Sequence, residues 1–108
     1  MRLQLLFIVS LATLGCSNKT DEAIIRTAET QLVLPQKAAP LTEYHRYYAI
    51  TGETAKGIFI WSEFGRGDFT FVATEDDLPF VADGGCGVIQ VRFSLTKKSW
   101  DSPFCHGP

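Results

Sequence analysis

Hydrophobic and polar positions divide the chain into three stretches. Residues 3–14 are apolar except for Gln4, Ser10 and Thr13. From Cys16 to Glu43 no aromatic residue occurs, and polar positions outnumber apolar ones. From Tyr44 to Phe104 the chain carries twelve aromatics, in short β-branched and aromatic runs separated by glycines. Such runs between glycine-rich breaks read as strands and turns.

The third stretch predicts five strands and one helix. Residues 44–50 form a first strand, although Leu41, Tyr44 and Tyr48 also fit one helical face. Thr51, Gly52 and Glu53 make a turn, and residues 57–64 a second strand containing Ile58, Phe59, Ile60 and Trp61. After a turn at residues 65–68, residues 69–74 are a third strand with Phe69 and Phe71 on one face. Asp77 as N-cap and Pro79 in the first turn predict a short helix, stopped at Asp83, Gly84 and Gly85. From Cys86 the pattern alternates, with Ile89, Val91 and Phe93 facing away from Val88, Gln90 and Arg92. Residues 94–98 turn the chain, and residues 99–105 return as an edge strand that tolerates Pro103. The expected order is β-β-β-α-β-β, an α+β fold built on a small antiparallel meander.

The first two stretches read differently. The apolar run has about twelve residues and would span about 18 Å as a helix, short of the ~30 Å hydrocarbon core. With Arg2 before it, it fits a removable export signal over residues 1–15. Residues 16–40, with Pro35 and Pro40, read as a tether. Part of it is expected to be helical, with Thr20 as cap and Ile24, Ile25, Ala28 and Leu32 on one face, stopped at Pro35. Residues 41–108 are then the globular head.

Composition narrows the function classes. A chain of 108 residues holds one small domain and no dinucleotide-binding fold with a separate substrate domain. A formal net charge of −2 argues against a nucleic-acid partner. No cofactor is expected apart from a covalent lipid on Cys16, for the following reason.

Ala12, Thr13, Leu14, Gly15 and Cys16 resemble the lipobox of bacterial lipoprotein precursors, with Thr13 where the strongest form of the motif has Leu. The resemblance covers residues 1–17 and implies that Cys16 becomes the first mature residue and carries acyl chains. Each buried CH₂ contributes about 0.8 kcal/mol, so two or three chains hold a protein at a membrane where one holds only marginally. Ser17, in place of Asp, resembles the class sorted to the outer membrane, which implies a lipid-anchored envelope protein facing the periplasm. Asp83–Gly87, the following strand and Phe104–Gly107 are similar to small uncharacterised bacterial lipoproteins, a resemblance that brings no activity.

With Cys16 lipidated, Cys86 and Cys105 remain as an even pair in an oxidising compartment. A hairpin turning at residues 94–98 sets them nearly opposite each other, near disulfide separation. A structural disulfide is the reading here. The alternatives are a redox-active pair, which lacks a Cys-x-x-Cys spacing, and a metal site of Cys86, Cys105 and His106, which lacks ligand spacing and a fourth ligand.

Other features have competing readings. Arg66, Gly67 and Asp68 spell an adhesion tripeptide but equally suit a tight turn. Glu75, Asp76 and Asp77 resemble a cation site in charge only, lacking calcium-loop spacing, and suit a helix N-terminus. Residues 83–87 offer backbone N–H groups for an anion or a route into the next strand. His45 and His106, the two histidines, lie far apart in the sequence. Tyr44, Tyr47, Tyr48, Trp61 and Trp100 form either a binding surface or a core of large side chains. The expected function is a binding or accessory module with an envelope protein as partner. The alternatives are a periplasmic inhibitor of a lysozyme-type hydrolase and a metal or thiol protein.

Overall fold

A computed structural model describes residues 17–63, 67–81 and 83–107. The export signal expected over residues 1–15, Cys16 and Arg66 lie outside them. The chain divides into two compact units at the Gln31/Leu32 boundary.

In the first unit, helix α1 runs Ser17–Glu29, so Thr20 sits within it rather than capping it. Glu22 accepts from Arg26 one turn later, with Arg26 Nη2 at 2.8 Å. Glu preceding Arg by four residues is the favourable order along a helix. Ile25 is fully buried, and the chain leaves the helix well before Pro35.

The second unit is a six-stranded sheet. Its strands are β1 (Tyr44–Thr51), β2 (Thr54–Trp61), β3 (Phe69–Val72), β4 (Gly85–Ser94), β5 (Ser99–Trp100) and β6 (Phe104–His106). The spatial order is β3-β1-β2-β4-β5, with β6 also on β4. The α+β class holds, and most pairings are antiparallel.

Three details depart from the expected β-β-β-α-β-β order. First, β3 is not the next strand of a meander. It crosses to the far side of β1 and pairs with it in parallel, Arg46 opposite Phe69 and Tyr48 opposite Phe71. Second, among the described residues no α-helix follows Asp77. A single 3-10 turn spans Glu75–Asp77, with Thr74 as its cap and the Asp77 carboxylate accepting from the Thr74 backbone N–H. Leu78 then becomes extended (φ −69°, ψ 146°), as expected of a residue preceding proline. Third, the edge strand is split around Pro103, and β5 and β6 follow one another along the edge of β4 that β2 leaves free.

The strand register sorts side chains onto two faces. Tyr44, Arg46, Tyr48, Phe59, Ile89, Val91 and Phe93 share the first face, joined by Phe69 and Phe71 from β3. Tyr48 lies at the centre of an aromatic group, with its ring 5.7 Å from Phe59, 5.5 Å from Phe69 and 5.7 Å from Phe71. Arg46 is 6% exposed, with its guanidinium 4.5 Å from the centre of the Phe69 ring. The second face carries Ala49, Ile58 and Val88. The segment after the 3-10 turn folds over them, placing Leu78 and Val81 against the sheet.

Two glycines give a direct test of this packing. Gly57 lies in β2 beneath Tyr48, and a Cβ there would stand 2.7 Å from both Tyr48 Cε1 and Val91 Cγ2. Gly52 opens the β1–β2 hairpin at φ +62° with nothing within 4 Å of a new Cβ. Gly57→Ala should cost about 1–3 kcal/mol by overpacking. Gly52→Ala should cost about 1 kcal/mol through its backbone alone. Urea unfolding of the two variants should rank them in that order. The reverse order would contradict the close approach at Gly57.

Candidate functional site

Cys86 and Cys105 form a disulfide with their Cα atoms 4.5 Å apart. The local backbone makes this possible. Gly85 pairs with His106 and Ile89 with Cys105, so residues 86–88 are accommodated within one step of β6. The excess is taken up by a turn in which Gly87 N–H donates to Gly84 C=O at 2.9 Å, with Gly85 at φ +54°. Gly84 N–H donates to His106 C=O at 3.0 Å. The N–H groups of Gly84 and Gly87 are therefore used within the fold rather than presented to an anion.

The five aromatics considered for a binding surface do not act as one group. Register places Tyr44, Tyr48, Trp61 and Trp100 on the first face and Tyr47 on the second. Tyr44 and Tyr48 are buried, at 1% and 0% exposure, and Trp61 is 42% exposed. Trp100 packs on Phe93 with 4.8 Å between ring centres, and Tyr47 stacks on His45 at 4.3 Å. Tyr44 has a linking role. Its hydroxyl donates to Cys86 C=O at 2.6 Å and accepts from Ala39 N–H at 3.1 Å, joining the segment before β1 to the disulfide strand. Residues of the stretch read as tether thus belong with the head. Trp61 donates its indole N–H to Glu43 at 3.0 Å, beside a shallow opening of about 420 Å³ next to Cys86.

The two histidines remain separate. His45 shares a 2.7 Å hydrogen bond with the Thr70 hydroxyl, and its other ring nitrogen is 3.9 Å from Asp68. His106 bridges two elements, with Nδ1 2.8 Å from Val81 C=O and Nε2 3.2 Å from the Gln90 side-chain oxygen. Nδ1 donates to the carbonyl, which fixes the ring against the segment covering the second face.

Beside that ring lies a cleft of about 320 Å³. Its floor is Ile58 and Leu78. Lys56 and Gln90 reach it from the sheet, Glu75 and Asp76 from the 3-10 turn, and His106 from β6. Phe80 lines it while remaining 87% exposed, and Phe104, stacked on His106 at 6.0 Å, is 52% exposed. Among the described residues Lys56, Glu75 and Asp76 form no ion pair with one another or with any neighbour. Asp77 differs, because its carboxylate is held by Thr74. Glu75 and Asp76 thus line the cleft from the first turn of a 3-10 helix, not from the N-terminus of an α-helix.

The sequence reading did not bring these residues together. Lys56, Glu75, Gln90 and His106 come from four separate elements with no common spacing. Among the described residues no group of three or more His, Cys, Asp or Glu side chains is placed to hold a metal ion. No helix among them is long and apolar enough to cross a membrane. Comparison with protein-family models, with curated proteins and with solved structures finds no match to this chain.

Proposed function

We propose that this is a lipid-anchored protein of the cell envelope whose head is a binding or accessory module. Acyl chains on Cys16 would hold it at the outer membrane, and the head would face the periplasm. The lipobox-like run ending at Gly15 and Cys16 supports the anchor. The observation that carries the binding role is the cleft on the second face. Charges of both signs line it without pairing, beside an almost fully exposed Phe80. Unpaired charges and an exposed aromatic at one concave site are features of a surface that meets a ligand.

Cross-linking in intact cells tests this reading. A photoreactive phenylalanine analogue replaces Phe80 in one strain and Lys97, in the β4–β5 turn, in another. Position 80 should give a discrete adduct that position 97 does not. The same pattern of abundant neighbours from both positions would count against a specific site.

A further inference from the structure

We propose that the cleft binds a zwitterionic ligand of the amino-acid type bearing an apolar side chain. This rests on the reading of the head as a binding module and assigns a chemistry to it.

The two charge signs come from different sides. Lys56 belongs to the sheet, where it sits opposite Arg92 across the β2–β4 ladder. Glu75 and Asp76 belong to the turn that precedes the covering segment. A ligand bearing only positive charge would meet Lys56 unfavourably. A ligand bearing only negative charge would meet Glu75 and Asp76 unfavourably. An α-amino acid offers its ammonium to the carboxylates and its carboxylate to Lys56, and satisfies both sides at once.

The remaining lining fits the rest of such a molecule. Ile58 and Leu78 make an apolar floor, and Phe80 projects beside it at 87% exposure. An apolar side chain laid between them would remove Phe80 from water, which is favourable in proportion to the area covered. The Gln90 side-chain amide pairs with His106 Nε2 at the edge of the same site, which sets a polar group beside the apolar floor. A volume of about 320 Å³ is at the small end of ligand sites, the scale of one amino acid or one residue of a peptide.

The experiment titrates the full chain, purified in detergent, with three probes followed by amide and side-chain NMR shifts. The probes are phenylalanine, phenethylamine, which lacks the carboxylate, and 3-phenylpropionate, which lacks the ammonium. Phenylalanine should shift the signals of Lys56, Gln90 and His106, and the other two should bind at least tenfold more weakly. Lys56→Met and Phe80→Ala should each weaken phenylalanine binding at least fivefold. Phe80 is exposed, so its variant keeps the fold and the test remains readable. Equal binding of all three probes would leave a binding cleft but overturn its zwitterion preference. No shift at these residues with any probe would overturn the amino-acid assignment, and the binding reading would then stand or fall on the cross-linking pattern from position 80.

Discussion

Phe59→Ala should remove a large part of the stability of the head. Phe59 is fully buried on β2, its ring 6.3 Å from Tyr44 and 5.7 Å from Tyr48. It sits between β1 and β4, opposite Arg46 on one side and Ile89 on the other. Truncating such a ring costs about 3–5 kcal/mol, the lost transfer energy plus the cavity left behind. A small domain has only about 5–15 kcal/mol in total. Urea unfolding followed by tryptophan fluorescence should therefore show a large loss or no folded baseline. Phe80→Ala is the internal control, because an exposed ring should change stability by no more than about 0.5 kcal/mol. A loss below about 1 kcal/mol for Phe59→Ala would mean that the first face is not packed as described.

Replacing Cys86 and Cys105 together by serine should have the next largest effect. The bond closes a loop across 19 positions, from the start of β4 to β6. In the chain-entropy model a loop of that size stabilises the fold by about 3 kcal/mol, because it restricts the unfolded chain. For a domain of this size each kcal/mol moves the melting temperature by about 4–8 °C, so the double variant should melt roughly 12–24 °C lower. The effect should also be local. Cys105 adjoins His106, whose ring holds Val81 C=O and the Gln90 side chain beside the cleft. Loss of the bond should accelerate amide hydrogen exchange in residues 104–106 before the β1–β2 hairpin exchanges faster. An unchanged melting temperature would remove the staple from the stability of the fold.

These two expectations rest on features of unequal legibility. The disulfide could be read from the sequence, since two cysteines flank a turn in an alternating pattern and the hairpin brings them together. The face assignment of Tyr44, Tyr48 and Tyr47 follows from strand alternation, although burial does not. The parallel pairing of β3 with β1 could not be read, because a four-residue strand carries no signal for which neighbour it will join. The helix expected after Asp77 illustrates a conflict between two local rules. Pro79 favours a helix's first turn but also holds Leu78 in an extended conformation, and the second effect prevails. The interior position of Arg46 is not legible in the sequence, because a charge in a strand reads as solvent-facing. Its burial depends on the Phe69 ring and on the Leu41 and Tyr44 carbonyls, which only the assembled sheet supplies. The cleft was missed for the same reason, as its charges are brought together by strand order rather than by spacing.

The proposed link between this head and the envelope is lipidation of Cys16. The mass of the protein extracted from the membrane fraction, with fragmentation of its N-terminal peptide, tests that link directly. The expected result is a mature chain that begins at Cys16 and carries acyl chains on its thiol and amine. An unmodified Cys16, or a mature chain beginning elsewhere, would contradict the lipid-anchored reading.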